Sequence, residues 1–273
     1  PDNIDLTGEA CKGDSDITEA RVTARAGGVA AGLAAIDDLL AVFAPGEGIA
    51  ADTHARDGDP IEPGQNLATL RGPLPEIVRV ERTLLNLLGR LSGVATRTAR
   101  FIDAMGRTTS RLYDTRKTTP GLRVLEKYAV RCGGGWCHRM GLHDAVMFKD
   151  NHITGVPADR LAAHITNLVR RARAAGRSPA FVEVEVDTLE QFDALLTLEP
   201  GVVDVVLLDN MPPADLAEAV ARRDRAGSPL LLEASGGVSL DTINTIAQTG
   251  IDRISVGSLT HHAVSLDIGL DIG

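Results

Sequence analysis

From about residue 110 onward, short β-branched or apolar segments alternate with segments of helical pattern. Strands connected through a crossover helix run parallel, so this alternation predicts a parallel β/α arrangement. Nearly every apolar segment ends in a charged, amide or glycine residue, and barrel enzymes gather their active-site groups at such strand ends, so we expect a barrel rather than an open sheet. The apolar segments are 111–117, 145–151, 180–187, 203–210, 229–237 and 253–258, and the helical segments are 158–174, 188–196, 213–226 and 239–248.

The preceding part of the chain follows a different pattern. Residues 23–32 predict a strand with a glycine turn, residues 33–43 an amphipathic helix, and residues 57–72 a hairpin with glycine and proline at its bends. We therefore predict a smaller N-terminal α+β lobe with a connecting helix over residues 1–95, followed by an α/β barrel over residues 96–273.

The connecting helix is predicted over residues 75–90, beginning at a proline. Because Ser92-Gly93 weakens the helical pattern, we expect a break there and a second helix over residues 94–105. The apolar face is predicted to contain Val78, Leu84, Leu85, Leu88 and Leu91.

Composition argues against several classes of protein. The formal net charge of -9 argues against nucleic-acid binding. No apolar run approaches the roughly 18 residues that cross a membrane, so we expect no membrane association. Cys11, Cys132 and Cys137 form a sparse, odd set, which favours reduced thiols and a cytoplasmic protein.

Residues 111–150 oppose this acidic balance, with eight basic and four acidic side chains. A local basic segment in an acidic protein predicts a small polyanionic substrate. Arg116 and Lys117 close the first barrel strand, and His138 and Arg139 follow a glycine run that lets backbone N–H groups approach a ligand. The alternatives are a solvated loop for Arg116 and Lys117 and a flexible turn with an incidental histidine for the second segment.

Ionisable side chains also end the next strands. Lys149 follows an apolar strand, where an unpaired buried amine would be costly. Glu185 shares one strand face with Glu183 and Asp187 by the period of two, and Asp209 ends the following strand. Such carboxylates can bind ribose hydroxyls or Mg²⁺, and structural salt bridges are the alternative.

Small residues close the last two strands, at Ser235-Gly236-Gly237 and at Gly257-Ser258. Barrels commonly bind a phosphate at this place through backbone N–H groups, and ordinary tight turns are the alternative. The strand ends together predict a phosphorylated sugar with a second anion beside it.

The residues carrying these signals resemble the quinolinate phosphoribosyltransferase family over nearly the whole chain. The resemblance implies a small N-terminal lobe and an incomplete, about seven-stranded α/β barrel. It also implies that quinolinate and phosphoribosyl pyrophosphate are converted, with Mg²⁺, into nicotinate mononucleotide, pyrophosphate and CO₂ in NAD biosynthesis. The matching segments are 81–96, 115–123, 126–144, 149–153, 182–187, 207–210, 235–237 and 256–261.

The resemblance implies roles for the basic residues. Arg116, His138 and Arg139 would hold the two carboxylates of the pyridine. Lys149 would lie near both substrates, and Lys117 would meet the pyrophosphate.

The resemblance assigns the acidic and small residues to the phosphoribosyl group. Glu185 and Asp209 would hold ribose hydroxyls, directly or through Mg²⁺, and complete a catalytic set with Lys117 and Lys149. The residues implied around phosphate are Ser235, Gly236, Gly237, Gly257, Ser258 and His261.

Members of this family use an arginine from the neighbouring subunit, and Arg82 matches it, so the resemblance implies a homodimer or a hexamer built as a trimer of dimers. Residues 1–28 depart from the family pattern because they lack most of the usual first helix. This departure bears on subunit contacts more than on chemistry.

Three other interpretations remain open at the level of sequence. One is a related barrel that transfers phosphoribosyl to another aromatic acceptor. A second is a Schiff-base aldolase using Lys117 or Lys149. The third is a non-catalytic protein that binds a phosphosugar.

Overall fold

The computed structural model describes residues 17–46, 48–174, 176 and 178–273. The expected departure at the N-terminus falls mostly on residues 1–16, which also contain Cys11, outside the described residues.

The chain divides into two compact units. The first unit comprises residues 1–99, 119–134 and 259–273, and the second comprises 100–118 and 135–258. The boundary between residues 95 and 96 stays a prediction.

A four-stranded antiparallel sheet organises the first unit. Its strands are β1 (Ile17–Ala24), β3 (Ala50–Thr53), β5 (Asn66–Pro73) and β12 (Ile268–Ile272), in the order β12-β1-β5-β3. Strands β2 (Gly28–Val29) and β4 (Pro60–Ile61) form a separate pair. The hairpin predicted over residues 57–72 is therefore wrong, because β4 pairs with β2 while β5 pairs with β1 and β3.

The first unit also contains the amphipathic helix predicted over residues 33–43. A 3₁₀ turn, Leu33–Ala35, leads into α1 (Ile36–Phe43). Helix α3 (Arg123–Cys132), which the sequence patterns did not indicate, belongs to the same unit.

Helix α2 (Leu74–Met105) runs without interruption through Ser92 and Gly93, so the predicted break there is wrong. Gly93 serves close packing instead, because a Cβ at this position would lie 2.1 Å from Val264 O. The apolar face is as predicted except for Val78, which is 41% exposed while the preceding Ile77 is buried.

A six-stranded parallel sheet organises the second unit. Its strands are β6 (Arg111–Tyr113), β7 (Val146–Phe148), β8 (Val182–Val186), β9 (Val205–Asp209), β10 (Leu231–Ser235) and β11 (Arg253–Ser255), in the order β6-β11-β10-β9-β8-β7. A further parallel bridge joins Tyr113 to Trp136 and adds a seventh, very short element. The predicted fold class, an incomplete α/β barrel with a smaller lobe, is confirmed.

Helices follow the strands as the alternation predicts. The bounds are α4 (Asp150–Ile153), α5 (Ala158–Ala174), α6 (Leu189–Leu196), α7 (Pro213–Arg225), α8 (Ile243–Ala247) and α9 (Ser258–His261). Helix α6 begins at a capping box in which Thr188 and Gln191 satisfy each other's backbone N–H groups. Among the described residues, no helix is both long and apolar enough to span a bilayer.

Strand β8 shows how the second unit buries charge. All five of its residues are buried. By the period of two, its three valines share one face and Glu183 and Glu185 share the other. The carboxylates are therefore built into the packed part of the barrel rather than into a solvated surface.

Candidate active site

The predicted site residues of the second unit lie at or just after the carboxyl ends of parallel strands. Arg116 and Lys117 follow β6, Lys149 follows β7, and Asp209 ends β9. Ser235 ends β10 beside Asp209, with which it is in register. Because the strands are parallel, these side chains share one edge of the sheet.

Lys149 and Glu185 form an ion pair through Nζ and Oε2. Glu185 is nearly buried, whereas 41% of the Lys149 side chain is exposed. The lysine therefore holds the carboxylate at the strand end while it keeps access to a ligand. A salt-bridged amine suits anion binding better than it suits the aldolase alternative, which needs an amine free to attack a carbonyl.

Asp209 lies among several charges. Burial raises the pKa of Asp209 above its ordinary value, against the hydrogen bond that Asn210 donates to its carboxylate. The charge of Asp187 adds to the rise, while the charges of Lys149 and Lys117 oppose it. Both predicted catalytic lysines thus act on this carboxylate.

Arg139 and Arg116 bring two guanidinium groups together. Burial lowers the pKa of Arg139, and the charge of Arg116 lowers it further. Arg139 is 7% exposed, and its Nη1 donates to Ala145 O at 3.3 Å, which fixes the orientation of the group. Two neighbouring guanidinium groups, one of them buried, suit a planar ligand with two carboxylates.

His138 is more deeply buried than expected for a residue that is predicted to hold a carboxylate of the substrate. Its backbone N–H donates to the buried Asp114 at 2.7 Å, and its Nε2 lies 3.0 Å from Glu183 Oε2 and 3.5 Å from Glu233 Oε1. Burial by itself lowers the pKa of His138, but the hydrogen bonds and charges of Glu183 and Glu233 outweigh burial and raise it to about 9.

The other ring nitrogen of His138, Nδ1, accepts the Arg139 N–H at 2.8 Å. Because Nδ1 accepts this N–H, a proton on Nδ1 is disfavoured, whereas the carboxylates beside Nε2 favour the doubly protonated ring. In either protonation state Nε2 carries a proton, which faces Glu183. His138 therefore links the buried carboxylates to the backbone of Arg139, and its contact with a ligand stays a prediction.

Glu183, Glu233 and His138 each offer an atom within 4.8 Å of the others, a spacing that could hold a metal ion. However, Arg253 Nε lies 2.7 Å from Glu233 Oε2, and its guanidinium stacks 4.0 Å from the centre of the Tyr113 ring. A cation supplied by the chain already compensates these carboxylates, so we interpret the group as a buried ion-pair network.

Sequence reasoning missed the roles of Asp114, Glu233 and Arg253 in this network. A signal existed, because Glu233 interrupts an apolar run, Arg253 begins the next short strand, and buried charges are rare unless paired. Which partners they find depends on the register of β10 and β11, where the two residues are directly paired.

Two of the small residues that follow the last strands, both after β10, have left-handed backbone conformations. Gly236 and Gly237 have positive φ values of 91° and 62°, which glycine adopts without strain. Gly257 follows β11, and Ser258 begins the one-turn helix α9.

Arg82 and His261 belong to the first unit. The Arg82 side chain is 75% exposed and pairs with Glu81. His261 is exposed, and its ring centre lies 4.2 Å from that of His262. Their predicted roles at the substrates stay predictions.

The arrangement in the second unit can bind a dianion through Arg116 and Arg139. It can also place two lysines and two carboxylates around a sugar phosphate.

Comparison with known proteins agrees with this chemistry. Residues 5–92 match the family model for the N-terminal domain of quinolinate phosphoribosyl transferase, and residues 94–271 match that for its C-terminal domain.

Individual relatives extend over most of both chains. A nicotinate-nucleotide pyrophosphorylase [carboxylating] from Mycobacterium leprae is 40% identical, covering 98% of this chain and 91% of the relative. A quinolinate phosphoribosyltransferase [decarboxylating] from Nicotiana glauca is 36% identical, covering 98% and 78%. The solved nicotinate-nucleotide pyrophosphorylase of Francisella tularensis superimposes with a TM-score of 0.86 at 32% identity, covering 98% and 90%. The two matching domains, together with these relatives, show that the chain belongs to the quinolinate phosphoribosyltransferase family.

Proposed function

We propose that this chain transfers the phosphoribosyl group of phosphoribosyl pyrophosphate to quinolinate and releases CO₂ and pyrophosphate. The product is nicotinate mononucleotide. The observation that carries the proposal is the pairing, at one sheet edge, of the Arg116–Arg139 guanidinium groups with the Lys149–Glu185 ion pair and Asp209. The first pair fits a pyridine dicarboxylate, and the second group fits a ribose phosphate.

Positioning accounts for much of the rate in such a reaction. Guanidinium groups that bind the carboxylates of quinolinate fix its ring nitrogen relative to the anomeric carbon of the ribose. The backbone carbonyl of Ala145 already orients Arg139, so little freedom is lost when the ligand binds. His138, which contacts Glu183, supports the position of Arg139 by accepting its backbone N–H.

Departure of pyrophosphate is the step that needs electrostatic help. As the bond between the anomeric carbon and the pyrophosphate oxygen breaks, negative charge grows on the leaving group. Lys117 and Lys149, both close enough to Asp209 to affect its pKa, stabilise that charge. The ring nitrogen then forms its bond to the anomeric carbon.

Decarboxylation uses an electron sink that the substrate supplies. Once the ring nitrogen carries ribose it is cationic, so it stabilises the electron pair that stays on the adjacent ring carbon as the carboxylate leaves as CO₂. That carbon then takes up a proton from solvent water. No side chain needs to act as a general base in this sequence.

Glu185 and Asp209 are proposed to hold the ribose hydroxyls and Mg²⁺. The donor set fits, because Mg²⁺ is usually held by one or two carboxylates together with substrate phosphates rather than by a closed protein cage. Asp209 is partly buried beside the second negative charge of Asp187, which a cation would relieve. When bound, the ion would neutralise charge on the pyrophosphate.

The phosphate of the sugar is proposed to bind at the ends of β10 and β11. Gly236 and Gly237 have positive φ values and no side chains, so a phosphate can approach the backbone of this loop closely. Ser235, Gly257, Ser258 and His261 complete the proposed phosphate contacts.

A homodimer or hexamer is proposed because Arg82 is assigned to the neighbouring subunit's site. Its exposure on the single chain is compatible with that use. We also propose a cytoplasmic location, supported by Cys132 and Cys137, neither of which is disulfide-bonded.

The test is product formation by the purified protein with quinolinate, phosphoribosyl pyrophosphate and Mg²⁺, followed by chromatography. Nicotinate mononucleotide is expected, and Lys149→Met should abolish most of its formation while the protein stays folded. Arg225→Met serves as the control, since this exposed arginine pairs with Glu218 outside the site. Absence of product with retained binding of phosphoribosyl pyrophosphate would favour another acceptor or a binding role.

A further inference from the structure

Asn210 has an unusual backbone conformation next to the proposed ribose-binding carboxylate. Among the described residues, it is the one non-glycine residue with a positive φ, 52°. The left-handed region is unfavourable for residues with a Cβ, although asparagine tolerates it better than most. A conformation of this kind persists only where surrounding contacts hold it.

Two hydrogen bonds hold Asn210 in place. Its backbone N–H donates to Ser235 O at 2.8 Å, which ties the end of β9 to the end of β10. Its side-chain Nδ2 donates to Asp209 Oδ2 at 2.6 Å. Asn210 therefore orients the Asp209 carboxylate through its side chain and binds the end of β10 through its backbone.

Gly236 makes room for this arrangement. A Cβ at Gly236 would lie 2.1 Å from Asn210 Oδ1 and 2.5 Å from its Cγ. The amide of Asn210 therefore lies directly against the backbone of the proposed phosphate loop. Any larger residue at position 236 would displace the amide or the loop.

We propose that Asn210 is a positioning residue that holds the Asp209 carboxylate and the Ser235–Gly237 loop at a fixed spacing. These two groups are assigned to different parts of one ligand, the ribose and its phosphate. Asn210 thereby determines affinity for the phosphoribosyl substrate rather than for the pyridine. The inference rests on the proposed function, since that function assigns these two groups to phosphoribosyl pyrophosphate.

Two substitutions separate the amide from the backbone. Asn210→Gly keeps the left-handed conformation without strain but removes the donor to Asp209. Asn210→Asp keeps the shape but replaces the donor with an oxygen that repels Asp209. Asn244→Asp is the matched control, because the Asn244 amide donates to Ala104 O and Met105 O away from the sheet edge.

Both Asn210 variants are expected to raise the KM for phosphoribosyl pyrophosphate about tenfold or more, the effect of losing one hydrogen bond to a charged group. The KM for quinolinate should stay within about twofold in both. Asn244→Asp should leave both constants unchanged. An unchanged KM for phosphoribosyl pyrophosphate, or an equal rise in both constants, would overturn the inference.

The Gly236 contact gives a second readout. Gly236→Ala should weaken binding of phosphoribosyl pyrophosphate strongly in the native background. The loss should be smaller in Asn210→Gly, because the two closest clashing atoms are gone. Equal losses in the two backgrounds would show that Asn210 does not restrain this loop.

Calorimetric titration of phosphoribosyl pyrophosphate with Mg²⁺ separates this inference from the proposed function. A native protein that binds the compound but makes no product contradicts the function alone, and weaker binding by Asn210→Asp then still supports the inference. A native protein that does not bind it overturns both.

Discussion

Replacement of Arg139 by alanine tests the proposed dicarboxylate site most sharply. The guanidinium is nearly buried, oriented by Ala145 O, and close enough to Arg116 for the two charges to interact. A hydrogen bond from a charged group contributes about 1.5–3 kcal/mol, which corresponds to roughly a 10- to 150-fold change in affinity. We expect Arg139→Ala to raise the KM for quinolinate by that factor, measured from initial rates of mononucleotide formation.

The phosphoribosyl side of the site provides the internal control. Because Arg139 is assigned to the pyridine alone, the KM for phosphoribosyl pyrophosphate should change by less than about twofold. Arg139→Lys keeps the charge but not the bidentate geometry, so its KM for quinolinate should be intermediate. If the KM for quinolinate were unchanged in Arg139→Ala, the assignment of the dicarboxylate to this pair of arginines would be wrong.

Three further predictions concern the first unit. Glu126 is completely buried and pairs with Arg90, so Glu126→Ala should lower the free energy of unfolding by about 3–5 kcal/mol, measured by urea denaturation. Burial raises the pKa of Glu126, but hydrogen bonds from Thr119 and Arg90 outweigh burial and hold it below its ordinary value. The stabilisation by this carboxylate should therefore be complete above the pKa of Glu126 in the unfolded chain, and it should disappear as pH falls through its lower pKa in the folded protein. Urea denaturation of the native protein and of Glu126→Gln, measured from pH 7 downward, should give free energies of unfolding that converge in acid. A difference that stays constant with pH would contradict this. Gly93→Ala places a methyl group against Val264 O and should cost about 1–3 kcal/mol, seen as a lower Tm; an unchanged Tm would show that the helix shifts freely.

Local sequence patterns were sufficient for the strands and most helices of the barrel. Each of the six parallel strands lies within a predicted apolar segment, and α5 coincides with the predicted helix over residues 158–174. The charged strand ends pointed to the edge at which Lys149, Glu185 and Asp209 come together. These residues could be predicted because the carboxyl ends of parallel strands meet at one edge of the sheet, whatever the contacts between distant segments.

The features that sequence could not supply depend on contacts between distant segments. Gly93 indicated a helix break, but its role is close packing against Val264, more than 150 residues later in the chain. The prediction of a hairpin over residues 57–72 failed because β5 pairs with β1 and β3 rather than with β4. The position of His138 above two buried glutamates likewise depends on the barrel register.

The central claim is that this chain joins phosphoribosyl to quinolinate and removes the carboxylate next to the ring nitrogen. Quinolinate labelled with carbon-13 in that carboxylate, incubated with the protein, phosphoribosyl pyrophosphate and Mg²⁺, tests both steps at once. We predict that the label appears in CO₂ in an amount equal to the nicotinate mononucleotide formed, and that the nucleotide is unlabelled. Label retained in a nucleotide, or no nucleotide at all, would contradict the account.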